Sequence, residues 1–206
     1  MLHRLVLIAG VAGAFVPGVS AQTTGTPVFL APTKAFRSSE IGVFFTDPGD
    51  GFTLEGMYRM GRGAADIGFR AGIGDNDVNT PNGPSSTFFL AGVDFRFRVV
   101  KATDAFPLEG SMTLGVGGVF GDGVTVGLVP IGISLGRRIN LEGTKTTFIP
   151  YFHPVLVPVF GDDNDDAVRF GIGLGVDIQF SPRLDARLGA GLGDYDGISL
   201  GVSFTH

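Results

Sequence analysis

From about residue 38 to the C-terminus, apolar and polar residues exchange places at almost every position. The clearest run sets Val168, Phe170, Ile172, Leu174, Val176, Ile178 and Phe180 against Arg169, Gly171, Gly173, Gly175, Asp177 and Gln179. A helix needs a period of about 3.6 residues, whereas a strand sends successive side chains to opposite faces. The same period of two predicts ten strands, at about 38–46, 51–60, 65–74, 86–99, 108–120, 124–137, 145–159, 167–180, 183–192 and 197–205. Eight is the alternative count. No helix-length stretch is left over, so the class is all-β.

Alternation suits a soluble barrel with an apolar interior and a membrane barrel with an apolar exterior equally well. The polar faces decide between them. They are mostly Gly, Ser and Thr, which fit a crowded lumen and make a poor solvated exterior. Their charges come in both signs: Glu55, Asp66, Asp94, Glu109, Asp177 and Asp185 against Arg59, Arg70, Arg96, Arg98, Arg169 and Arg187. Buried charges must be paired, and the planar fork of arginine suits that better than lysine. The chain has 12 Arg and only 3 Lys, the reverse of a typical water-facing surface. These features predict a closed antiparallel transmembrane β-barrel whose lumen holds a compensated charge network.

The first 21 residues read as an export signal rather than as fold. Arg4 precedes an apolar run from Leu5 to Val16, and Val19-Ser20-Ala21 is a small-residue cleavage site before Gln22. Residues 22–37 are polar and bear Pro and Thr, and they read as a linker. The barrel is then expected over 38–206. Both termini in the periplasm require an even strand number. Alternate connections then face outward, and they collect Asp47, Asp50, Asp75, Asp77, Asp122, Asp162, Asp163, Asp165, Asp166, Asp194 and Asp196 without one Lys or Arg. The other connections hold Arg62, Lys101, Arg138, Lys145 and Arg183. One end is acidic and the other basic.

On the signal peptide, the dyad pattern and the terminal strand Ile198-Ser-Leu-Gly-Val-Ser-Phe204, residues 38–206 resemble the small bacterial outer-membrane β-barrel proteins of the OmpA/OmpW-like group. The resemblance implies residence in the outer membrane, contact with its lipid and lipopolysaccharide, and insertion by the barrel-assembly machinery. Such proteins usually end on an aromatic residue, whereas here Thr205 and His206 follow Phe204. Trp is absent and Tyr occurs only three times, so aromatic girdles would fall to the 19 Phe.

Catalytic and cofactor chemistry find little support. Cys is absent, and the predicted mature chain has two histidines, His153 and the terminal His206. No serine lies near His153 in sequence to act as a nucleophile, so no enzyme is expected. Gly115-Val-Gly117 and Gly171-Ile-Gly173-Leu-Gly175 lack the following helix that a phosphate-binding loop needs. No cofactor is expected, and a net charge of −5 disfavours nucleic acid. Asp75, Asp77, Asp162, Asp163, Asp165 and Asp166 are weak candidates for a metal site. They lack the Gly and Glu that complete an EF-hand loop, and Gly, Asn and Asp also make tight turns. Diffuse association with divalent cations lies between the two readings.

The expected function is a structural or surface-interaction barrel with a largely filled lumen. The alternative is a narrow channel or conduit for small or apolar solutes. The seventh strand adds one expectation. Pro150, Pro154 and Pro158 share one parity, and in a regular antiparallel strand residues two apart bond the same neighbour. One seam would then lose up to three N–H donors while the other keeps all of its own; bulges would instead spread the defects over both seams.

Overall fold

The computed structural model describes residues 23–32, 38–49, 51–76, 86–121, 124–161 and 164–206. The strands are β1 (Glu40–Asp47), β2 (Phe52–Arg62), β3 (Ala65–Asn76), β4 (Ser86–Val100), β5 (Glu109–Gly121), β6 (Val124–Leu128, Ile131–Gly136 and Ile139–Asn140), β7 (Thr147–Gly161), β8 (Asn164–Gln179), β9 (Leu184–Gly193) and β10 (Gly197–Thr205). Each pairs antiparallel with the next, and β1 pairs with β10 from Glu40↔Thr205 to Asp47↔Ile198. The ring of ten strands is therefore closed, which leaves no unpaired sheet edge. No helix among the described residues is long enough or apolar enough to cross a membrane.

The alternation read from the sequence maps onto the two faces of this wall. In β1, Glu40, Gly42, Phe44 and Thr46 are buried, while Ile41, Val43 and Phe45 point outward about half exposed. Phe69, Ile73, Phe89, Phe95, Leu156, Phe170, Leu174, Leu200 and Val202 continue the outward apolar band. Buried carboxylates and guanidiniums line the inside instead. This inverts a soluble barrel and is the arrangement that hydrocarbon solvent requires.

The sixth strand departs from its predicted continuity. It breaks at Val129-Pro130, because a proline has no N–H to give to the ladder; the Pro130 carbonyl still accepts from Gly115 N at 2.9 Å. The eighth strand begins earlier than the sequence suggests, with a register shift between Asn164 and Ala167. Asp165 and Asp166 therefore belong to a strand and not to a loop.

A larger difference concerns the stretch read as a linker. Residues 23–32 do not lead up to the barrel from outside. They are buried throughout, with Val28, Phe29, Leu30 and Ala31 all nearly inaccessible. The segment lies inside the lumen, where the wall takes three of its carbonyls. The predicted export signal and cleavage site fall outside the described residues.

Candidate functional site

Among the described residues, buried polar and charged groups converge in the interior of the barrel, and three clusters organise it. The first is centred on Arg59. Its Nη2 donates to both Asp94 oxygens at 2.6 and 2.7 Å, and its Nη1 bonds Asp66. Arg96 holds the same Asp66 from the other side, through Nε at 3.1 Å and Nη2 at 2.9 Å. Register creates this fork. Arg59 pairs with Gly68 and Gly68 with Asp94, so one strand separates the charges, and it carries no side chain at that point. A Cβ at Gly68 would overlap the Arg59 guanidinium and stand 2.8 Å from an Asp94 oxygen.

In the second cluster Arg70 Nη2 lies 2.7 Å from Glu55. In the third, Arg187 Nη2 donates to Glu40 at 2.7 Å, and its Nε lies 3.4 Å from Asp177, its cross-strand partner. Ser203 Oγ donates to Asp185 at 3.2 Å. The Phe44 ring sits between the last two clusters, with the Arg70 and Arg187 guanidiniums 6.0 and 5.7 Å from its centroid. Of the twelve charged residues assigned to the lumen from sequence, nine are buried; Arg98, Glu109 and Arg169 are half-buried. Glu40 completes the third cluster and was missed because its strand alternates less clearly in sequence, with Phe44 on the same inward face.

Residues 23–32 lock onto these walls. Thr24 Oγ1 donates to Glu55 at 2.6 Å, and Thr26 bonds the other oxygen of that carboxylate. Farther along, three successive carbonyls are taken by three strands: Phe29 O by the Tyr151 hydroxyl at 2.8 Å, Leu30 O by Ser134 at 2.8 Å, and Ala31 O by Arg96 at 2.7 Å. The wall glycines are the footprint of this segment. A Cβ on Gly92 or Gly117 would overlap the Thr23 backbone, and one on Gly173 would enter the Phe29 ring. Glycine abundance on the polar faces was thus a signal for something packed against them.

The connection between β9 and β10 also turns inward. Gly193 and Gly197 take positive φ values of 92° and 144°, and between them Tyr195 is folded into the lumen against Gly171. Burial pushes the Tyr195 phenol well above its usual pKa, with Asp194 adding to the rise and Arg169 opposing it. Asp194 also accepts from Phe170 N at 2.8 Å, a turn role for one of the acidic residues.

The lumen is chemically two-sided. Glu40, Glu55, Arg59, Asp66, Arg70, Asp94, Arg96, Asp177, Asp185 and Arg187 belong to β1–β4, β8 and β9. The inner face of β6 and β7 is mostly apolar: Val126, Leu128, Ile149, Val155, Val157 and Val159 pack with Tyr151, Phe29, Ala31 and Tyr195, and Ser134, Thr147 and His153 are its buried polar members. His153 lies in that face, its ring edge-on to Phe29 at 5.7 Å. It borders a water-sized cavity with Thr23, Asp94, Thr113, Pro130 and Val155.

Of the metal candidates, Asp75 is half-buried in β3 opposite Thr87. Asp77, Asp162 and Asp163 lie outside the described residues, as do the side chains of Asp165 and Asp166. Among the described residues no three His, Cys, Asp or Glu groups gather as a cation would require.

This geometry defines a transmembrane β-barrel with residues 23–32 inside its lumen, and it resembles solved structures. The beta domain of the Bordetella autotransporter BrkA is 15% identical with a TM-score of 0.52, over 82% of this chain and 98% of that one. LpxR from Salmonella typhimurium is 10% identical with a TM-score of 0.49, over 81% and 100%. The N-terminal β-barrel domain of Pseudomonas aeruginosa OprF is 13% identical with a TM-score of 0.37, over 84% and 100%. The chain has the fold of outer-membrane β-barrels. No family model matches the sequence, and no curated protein does.

Proposed function

We propose that the chain is an integral outer-membrane barrel with a structural or surface-interaction role, non-conducting because its own N-terminal segment and paired charges fill the lumen. One observation carries this reading. Residues 23–32 occupy the interior and are bonded to β2, β4, β6 and β7 at once. Ten strands enclose slightly more than the eight that wall side chains fill by themselves, and an internal segment takes up the difference. Refolded protein in a planar bilayer should show no discrete current steps. Steps of constant size from the intact chain would overturn the reading.

In the same reading the end bearing the chain termini faces the periplasm and the acidic connections face outward. Export with cleavage before Gln22, insertion by the assembly machinery and contact with lipopolysaccharide belong to it, as does loose cation association at the acidic rim. Single cysteines at Asp77 and Asp165 should react with a membrane-impermeant maleimide in intact cells, while cysteines at Arg62 and Lys145 should not. Labelling confined to the second pair would invert the orientation.

A further inference from the structure

We propose that the seam between β6 and β7 is a lateral port, through which a single alkyl chain from the bilayer core reaches the apolar side of the lumen and takes the place of Phe29 and Ala31. The inference rests on the membrane reading above and goes beyond it by assigning an entrance and a ligand class.

Hydrogen bonding fixes the side on which the prolines act. Arg137 N donates to Pro150 O at 3.2 Å, and Val129 N donates to Pro158 O at 3.0 Å. Both prolines therefore stand at positions where an ordinary residue would return a second bond to β6. Pro154 shares their phase, being four residues from each. Pairing lapses there: the ladder holds at Ile131↔Leu156 and Gly132↔Val155, skips Ile133 and Ser134, and resumes at Leu135↔Phe152. Three reciprocal donors are thus missing from one border of β7. The border with β8 is continuous from Ala167↔Val159 to Gln179↔Thr147. No bulge spreads the defects over both seams. The Val129-Pro130 break interrupts β6 at the same wall.

What lies behind this seam gives the ligand. On β1–β4, β8 and β9 the wall presents buried carboxylates and arginines, which an alkyl chain would strip of partners at high cost. Behind β6 and β7 it would meet chiefly Val126, Leu128, Ile149, Val155 and Val157, with Ser134 and His153 as the polar groups beside the lapse in pairing. The water-sized cavity bordered by Pro130, His153 and Val155, and also by Thr23, Asp94 and Thr113, leaves packing beside the seam incomplete. All three prolines of β7 point outward, so nothing inside the lumen depends on their rings. A weak seam, an apolar chamber behind it and incomplete packing between them coincide at one place in the wall.

The chain has no Trp, so single-Trp variants report unambiguously in vesicles of mid-chain brominated phospholipid, whose tails quench on contact. Phe152→Trp, facing outward, should be quenched strongly. Tyr151→Trp, facing the chamber, should be quenched partly, and Phe44→Trp, facing the charged side, should not. Restoring donors with Pro150→Val, Pro154→Val and Pro158→Val should bring Tyr151→Trp down to the level of Phe44→Trp. In the unmodified protein, amides of Ile133, Phe152 and Leu156 should exchange roughly tenfold faster than those of Val155 and Val157, as the loss of neighbouring ladder bonds implies. Equal quenching at positions 151 and 44, quenching that survives the triple substitution, or equal exchange on both borders of β7 would each overturn the port. An unquenched Phe152→Trp would instead overturn the membrane reading itself.

Discussion

Deletion of residues 23–32 should convert a silent barrel into one that passes ions in discrete steps across a planar bilayer. The segment fills the lumen without being part of the wall's ladder, and its removal takes a partner from Glu55, Arg70, Arg96, Ser134 and Tyr151 but breaks no bond between strands. Glu55 would lose Thr24 and Thr26 but keep Arg70 at 2.7 Å, and Arg96 would lose Ala31 O but keep Asp66. The ring of strands has no missing member without it, so the barrel should still close. A single substitution provides an independent route to the same state. Gly117→Val places a side chain where the Thr23 carbonyl lies, while the strand itself readily accepts valine. It should raise the frequency of open steps with no residue deleted. Silence in both variants would mean that the charge clusters alone close the lumen.

Arg59→Ala should lower the unfolding free energy in lipid vesicles by ~3–5 kcal/mol, the cost of removing one partner from a buried ionic group. Arg59 is fully buried, and Asp94 would be left inside the barrel without the bidentate donor that neutralises it. Asp66 would retain Arg96, so the loss falls mainly on one carboxylate. Lys145→Ala, on the exposed connection between β6 and β7, should stay within about 0.5 kcal/mol of the parent. Urea titration read by far-ultraviolet circular dichroism measures both. Small and equal shifts would show a lumen wet enough to solvate a lone carboxylate.

The architecture was legible because a period of two is a property of neighbouring residues and needs no long-range information. All ten strands lie within a few residues of their predicted positions, and the inward and outward sets agree with the burial of each face. The pairing of charges was less accessible. That Arg59 meets Asp94 across Gly68, rather than some other carboxylate, follows from the registers of two successive hairpins, and those depend on turn geometry. The luminal segment was missed for a different reason. Thr23 to Pro32 has no period, no charge and no repeat, and its only trace is negative: glycines in the wall where it passes. Read one strand at a time, Gly92, Gly117 and Gly173 look like small residues suited to any narrow lumen. Only with the strands assembled do they become one groove with one occupant. The prolines of β7 show the opposite case, since their shared parity survives assembly intact.

The internal segment is joined to β1 by only a few residues, and this sets what could ever displace it. A short tether keeps its cargo at an effective concentration on the order of millimolar next to its site. A water-soluble competitor present at micromolar levels would have to bind roughly a thousandfold better than Phe29 and Ala31 do to hold the lumen half of the time. An acyl chain in the surrounding bilayer is under no such handicap, because the membrane packs such chains against the outer face of β6 and β7 at a density no solute reaches. With the proposed port, the tether would act as a concentration filter that disfavours dilute solutes relative to the lipid phase.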